Sequence, residues 1–438
     1  MSIHSLYPDH IEHRQRCLEQ ALAATGFAGL VIHSGSRSHY FRDDQYVPFR
    51  PTAHFAAWLP AAGASHCLVL KPDRRPQLIH YAPADHWYEP PRIDASFWTA
   101  HFHIVEVNSE PSLYKALPNL DSFAFIGADD EFAKRIGIPR DALNPAALVA
   151  RLDWDRSIKT EYEIACITEA TRRAAPAHAA AQQAFQDGAS ELEIHHAYVG
   201  ALHCTDDELP YPSIIALDRN AGVLHYQTKR ADRDGQLLLI DCGAAFLGYA
   251  CDITRTHLRS RDESLPDAWL SALNGLQRDL CRQIAPGLDF VELHCAAHRR
   301  IATLLSEIGI LSCSAETAFE RGYTRVFFPH GLGHLLGIQV HDVAGHQRNR
   351  DGGTREPSMQ NPALRLTRTL QPSMVLTIEP GVYFIDMLME PFRHRADPNF
   401  NWSIIDQLWS LGGARIEDNV VVTDDGCQNI TREVLGDL

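Results

Sequence analysis

The chain has 438 residues, 45% of them apolar and 22% charged, and a formal net charge of −15 at pH 7. The length favours two domains, and the composition suits a core-forming globular protein rather than a disordered chain. The acidic excess argues against non-specific binding to nucleic acid or anionic membrane, because both need a basic face.

No apolar run approaches the roughly eighteen residues of a spanning helix. The N-terminal "MSIHSLYPDHIEHRQRCLEQ" lacks the basic-then-apolar layout of a secretory signal. The ten cysteines are scattered, with no CxxC pair. This pattern reads as reduced thiols in a cytoplasmic protein. Cys242 and Cys251 read as small core residues, since a hard carboxylate site does not call for soft sulfur.

Residues 7–25 read as an amphipathic helix ended near Gly26, followed by a buried strand, "GLVIHSG". The short apolar runs "HFAAWLP", "SHCLVLKP", "PQLIHYA" and "SFAFIGA" follow, separated by turn residues. Alternating strands and helices suggest a self-contained α/β domain over 1–155. It has no Gly-rich turn between strand and helix, so a dinucleotide site is not indicated. From "DWDRSIKTEYEI" onward a long helical run closes on Asp187-Gly188, and Ser190 with Glu193 forms a capping box for the next helix. The second domain is placed at 156–438. A further helix pair is expected over 267–284 and 289–308. The segment 346–373 reads as a long surface loop of the kind that often serves function.

The chemistry concentrates in "LLLIDCGAAFLGYACDITRTH", "FFPHGLGHLLGIQVHD", "MVLTIEPGVYF" and "GGARIEDNVVV", with "AGVLHYQ" just before them. Asp241 and Asp252 lie eleven apart around a turn, which would put them on adjacent antiparallel strands facing one side. A carboxylate at the end of an apolar strand is costly without a partner, and two side by side repel. Either aspartate taken alone reads more readily as a turn or cap residue, the commoner fate of Asp after a strand. Glu379 and Glu417 repeat the pattern, and an ion pair of Glu417 with Arg415 is the bland alternative there. Three histidines accompany Gly331, Gly333 and Gly337. A phosphate loop is disfavoured because no Lys-Ser/Thr follows. Four carboxylates with the imidazole of His334 make an oxygen-rich site that suits two divalent ions and metal-assisted hydrolysis.

These stretches resemble the pita-bread metallopeptidases, and within them the bacterial prolidase group and its organophosphorus acid anhydrolases. "DDQYVPF" and "FAAWLP" resemble the N-terminal domain, and "PHGLGH", "TIEPG" and "RIEDN" the catalytic core. The resemblance implies an α/β (α+β) chain: a creatinase-like α/β domain, serving dimerisation and covering the active site, then a pita-bread domain with a curved antiparallel sheet under helices. It implies hydrolysis of Xaa-Pro dipeptides by a hydroxide bridging two divalent ions, with Mn first among Mn, Co, Zn and Fe. Asp241, Asp252, His334, Glu379 and Glu417 would hold the metals, and Glu379 would also shuttle a proton. His225 and His341 would stabilise the oxyanion, and His330 would contact substrate or support the site. Arg415 would face the substrate's carboxylate. Tyr211 and Asp44 would receive its N-terminal residue, Asp44 from a partner subunit, which implies a homodimer. Phe290 and Leu364 would wall the proline ring. The alternatives are an organophosphorus acid anhydrolase, an Xaa-Pro aminopeptidase and a non-catalytic binding protein of the same fold.

Overall fold

The computed structural model describes residues 2–61, 63–260 and 264–436. The chain divides into two compact units. One holds Met1–Arg156, Thr160–Ala165 and Arg348–Gly353; the other holds Ser157–Lys159, Cys166–Gln347 and Thr354–Leu438.

The first unit opens with the helix Tyr7–Thr25, stopped by Gly26 at φ 77°, a left-handed position that glycine adopts without a Cβ penalty. Its five strands are β1 (Gly29–His33), β2 (Cys67–Leu70), β3 (Gln77–Tyr81), β4 (His103–Val107) and β5 (Phe123–Ile126). They form one mixed sheet in the order β4-β3-β2-β1-β5, with β1–β5 and β3–β4 parallel. Val31, Val69, Ile79, Phe125 and Phe132 share its core. The run "HFAAWLP" differs from the sequence expectation: Ala53–Ala56 is a short helix. Its residues include alanines and no β-branched side chain, so helix propensity prevails. Strand β4 gave little signal because only Val107 of its five residues is buried.

The expected long helical run is two helices, Ala146–Ser157 and Glu161–Gln186. The second has its own N-terminal lock: the Thr160 amide donates to Glu163 at 2.9 Å, and the Glu163 amide to Thr160 Oγ1 at 3.4 Å. The Ser190–Glu193 capping box is present and opens Glu191–Leu202.

In the second unit β6 (Ile214–Leu217), β7 (Leu237–Asp241), β8 (Ala245–Phe246), β9 (Tyr249–Ala250) and β10 (Thr254–Leu258) come first. They are followed by β11 (Val375–Ile378), β12 (Gly381–Tyr383), β13 (Gly413–Arg415), β14 (Asp418–Val422) and β15 (Cys427–Asn429). Every pairing is antiparallel, in the orders β10-β7-β6, β11-β14-β15, β12-β13 and β8-β9. A bridge from Thr254 to Glu417 joins the first of these sheets to the β13–β14 run.

The unbroken "LLLI" of β7 has a physical reason: both faces are covered. Leu237 and Leu239 pack with the helices Leu265–Cys281 and Phe290–Glu307 through Trp269, Leu273 and Ile301. Leu238 and Ile240 pack against Ala181, Phe185 and Ile194 on the opposite face. Fixing β7 from both sides fixes Asp241 at its end. The segment 346–373 is only partly the surface loop expected: Leu364, Leu366, Thr367, Arg368 and Leu370 are buried.

Candidate metal centre and its pocket

Asp241 ends β7 directly opposite Thr254, the first residue of β10, and Asp252 stands two residues before Thr254. The Glu417 amide donates to Thr254 O at 3.0 Å, and the Thr254 hydroxyl donates to Glu417 Oε2 at 2.7 Å. The β10–β14 junction therefore brings Glu417 to the two aspartates.

His334 and Glu379 arrive together, because residues 332–336 run beside β11. Leu336 donates to Val375 O, Thr377 to His334 O and Glu379 to Leu332 O, at 2.8–2.9 Å. This close run needs glycine at Gly333, where a Cβ would stand 1.9 Å from Thr377 O. His334 Nδ1 donates to Leu335 O at 3.0 Å. Its Nε2 is left facing Asp252 Oδ2 at 3.4 Å and Glu379 Oε1 at 3.7 Å. That is the orientation a ligating imidazole takes when its other nitrogen is tied to backbone.

Asp252, His334 and Glu417 offer ligand atoms all within 4.8 Å of one another, and all three residues are buried. Asp241 and Glu379 flank this trio. Asp241 Oδ1, Asp252 Oδ1 and Glu417 Oε1 are buried without a hydrogen-bond partner. Three orphaned carboxylate oxygens in one place would each cost of the order of 1–3 kcal/mol or more. Burial and mutual repulsion push the Asp241 carboxyl up to about 6, despite Arg415. The Glu379 carboxyl is pushed up to about 7 by burial, against the pull of His334, and burial with Asp252 and Glu379 drives Glu417 well above its ordinary range. Divalent cations relieve both burdens. The donor set of four carboxylates and one imidazole fits hard or borderline ions, and five ligands exceed what one catalytic ion with an open position takes.

These residues line a cavity of about 250 Å³, together with His225, His330, His341, Arg365 and Arg415. The His341 ring meets His334 edge-on at 4.5 Å, and burial beside His334 and Arg365 lowers it to about 4. His330 lines the cavity with both ring nitrogens engaged. Nδ1 donates to Gly331 O at 2.8 Å and Nε2 lies 2.9 Å from the Tyr383 hydroxyl, while burial takes it down to about 3. Tyr211 has its buried hydroxyl beside Asp241 and Asp252, whose charges, after burial, drive its ionisation well above the usual value.

Arg415 is engaged on every nitrogen: Nη2 donates to Asp241 at 2.6 Å, Nη1 to the Tyr383 hydroxyl at 2.8 Å and Nε to Thr254 at 3.1 Å. Its ion-pair partner is thus Asp241, not Glu417 as the sequence alternative had it. Phe290 does not line the cavity. As the first residue of its helix it donates to Arg368 O at 3.0 Å, and its ring is fully buried in the core. Leu364 is also core, 2% exposed, and backs the cavity wall against Gly331. Asp44 is an exposed loop residue of the first unit.

Three neighbours escaped the sequence reading. Tyr383 sits within the apolar "GVYF" and reads as plain core. Thr254 is an ordinary strand residue by type. Arg365 was hidden in a segment read as polar loop; its signal was its place between Leu364 and Leu366, two residues that the fold buries.

The sequence profile of metallopeptidase family M24 matches residues 165–424, and that of the Xaa-Pro dipeptidase N-terminal domain matches residues 5–154. The chain belongs to metallopeptidase family M24. Among its relatives, a Shewanella amazonensis protein called Xaa-Pro dipeptidase is 41% identical, with 98% of each chain covered. One of the same description from Pseudoalteromonas haloplanktis is 39% identical, with 99% of each covered. Of solved structures, Escherichia coli aminopeptidase P with the inhibitor Pro-Leu matches with a TM-score of 0.76 at 23% identity, covering all of this chain and 96% of that one. A Pseudomonas aeruginosa aminopeptidase matches with a TM-score of 0.73 at 22% identity, covering 98% and 95%. The fold class agrees with the two-domain pita-bread architecture expected from the motifs.

Proposed function

We propose that the protein is a metal-dependent Xaa-Pro dipeptidase. The observation that carries this reading is the meeting of Asp241, Asp252, His334, Glu379 and Glu417 in one small cavity, where Asp241, Asp252 and Glu417 each keep a buried carboxylate oxygen without a hydrogen-bond partner. Full-length relatives described as Xaa-Pro dipeptidases support the substrate class.

Two divalent ions, with Mn proposed, would be held by these five residues. When bound they supply a nucleophile at neutral pH and polarise the scissile carbonyl. The bond before proline is a tertiary amide with no N–H, and this chemistry does not need one. Glu379 suits a proton carrier by its place, lining the cavity with Oε1 3.7 Å from His334 Nε2. His225 and His341 line the cavity where a tetrahedral oxyanion would form. Tyr211 would stand beside the substrate's N-terminal residue.

Two guanidinium groups line the cavity. Arg415 already spends three of its five N–H donors within the site, on Asp241, Tyr383 and Thr254, so the substrate carboxylate is assigned to Arg365. It is exposed at the mouth and, among the described residues, has no carboxylate at ion-pair distance. Arg415 then acts on Asp241, and Leu364 backs the pocket for the proline ring.

A homodimer is proposed, in which Asp44 serves a partner subunit's cavity. The exposure of Phe41 at 93% and Tyr40 at 51% beside it supports an interface there. A cytoplasmic setting is in keeping with the absence of any disulfide among the described residues.

The test is a substrate panel with Mn supplied: Gly-Pro, Ala-Pro, Leu-Pro, an Xaa-Pro-Xaa tripeptide and one organophosphate. Dipeptides should be the best substrates, EDTA should abolish turnover and Mn should restore it. Turnover of the tripeptide alone would make the enzyme an aminopeptidase, and preference for the organophosphate would make it an anhydrolase. A folded, metal-free, inactive protein would be a binding protein.

A further inference from the structure

Glu191 opens the helix Glu191–Leu202 and is 1% exposed. A carboxylate so buried is costly unless its lone pairs are used. Here both oxygens are doubly engaged. Oε1 accepts from the Leu217 amide at 2.8 Å and from Asn220 Nδ2 at 2.7 Å. Oε2 accepts from the Tyr226 hydroxyl at 2.6 Å and from the Arg230 amide at 2.7 Å. No donor is cationic, so this carboxylate is a hub for neutral N–H and O–H groups rather than half of an ion pair.

The four donors span a single segment, from the end of β6 through the turn Asp218–Gly222 to Arg230. A backbone bond adds to the same clamp: the Leu192 amide donates to Arg230 O at 3.2 Å. Between the tied points lie Leu224 and His225, both on the cavity wall, and Tyr226 follows His225 directly. Residues 223–230 have no regular structure of their own. Their place depends on what they are tied to.

We infer that Glu191 is a positioning residue for the reaction: it gathers both ends of residues 217–230 and so holds His225 at the cavity wall. The role of His225 rests on the dipeptidase reading; the clamp itself does not. Glutamine at this position would turn an NH₂ group toward one pair of donors, and a backbone amide cannot reverse its role to accept from it.

The test compares Glu191→Gln, Tyr226→Phe and His225→Ala, singly and combined, by amide hydrogen exchange and by steady-state kinetics. In Glu191→Gln, exchange across residues 218–230 should rise at least ~10-fold while β7 and β10 stay protected. For Ala-Pro, kcat should fall ~10–100-fold with KM within about 2-fold. Tyr226→Phe, which removes one donor of four, should show the same pattern at smaller amplitude, and it carries the test if Glu191→Gln does not fold. In the His225→Ala background neither change should cost further activity. Unchanged exchange in the segment, or losses that multiply with that of His225→Ala, would overturn the inference. If the parent enzyme turns over no dipeptide, the substrate reading fails, and the exchange result alone decides the clamp.

Discussion

Arginine 415 shows how one side chain's role is set by what already occupies its donors. It is 5% exposed and holds Asp241, Tyr383 and Thr254. Removing it would leave Asp241 beside other acids without its ion-pair partner, so Arg415→Ala should lower metal affinity and impair every substrate alike. Arg365 stands exposed at the mouth and, among the described residues, has no ion-pair partner. Arg365→Ala should raise KM for dipeptides by ~10–100-fold, the worth of a charge-assisted hydrogen bond, and leave an organophosphate little affected. The two variants, assayed on both substrates and for bound Mn, separate site integrity from substrate recognition. Equal selectivity from both would refute the division of roles.

The element that positions two of the proposed ligands is the run of residues 332–336 laid along β11. It brings His334 and Glu379 to one end, and it depends on a backbone approach that excludes any Cβ at Gly333. Gly333→Ala would have to push the run off β11 by an ångström or more, because the obstacle is a carbonyl rather than a flexible side chain. The expected result is at least ~10²-fold loss of kcat/KM with reduced metal content, the scale expected when a ligand is displaced by about 1 Å. The fold, judged by far-ultraviolet circular dichroism, should persist. Full activity in this variant would show that the run can bend without cost. The sheet beneath is also held by charge: buried Asp418 accepts from Arg255 and Arg432, both at 2.8 Å, next to Glu417, a proposed ligand.

Across the whole molecule, buried histidines should lower stability on the acid side. Burial lowers His10, His33, His178 and His294 to about 4, and His298 to about 3. Each is below its unfolded value of 6.5, so the native state binds fewer protons than the unfolded chain. Their contribution is present in full above about pH 6.5 and is lost as pH falls from there toward about 4. Each residue adds up to ~1.4 kcal/mol per pH unit within that window. Urea midpoints measured from pH 7.5 to 5 should fall steeply on the acid side. Replacing His178 by Gln, which can still donate to Cys242 O as His178 Nε2 does at 2.9 Å, should flatten the slope. An unchanged slope would mean that His178 is protonated in the folded state.

The sequence by itself determined the kinds of candidate ligand and their local settings. Carboxylates closing apolar strands at Asp241 and Glu379, and histidines among glycines in "PHGLGH", are local patterns, and their cost without a cation is legible residue by residue. The helix caps at Gly26 and Ser190 are local too. What only the tertiary structure decided were matters of which group reaches which. Arg415 turns to Asp241 because β13 and β7 come together beside Thr254. Phe290 goes to the core because its helix packs inward. Arg365 comes to the pocket mouth because leucines on either side of it are buried. Glu191 meets four donors up to thirty-nine residues away. Periodicity and composition report the demand for a partner; the partner's identity depends on long-range packing, to which neither is sensitive.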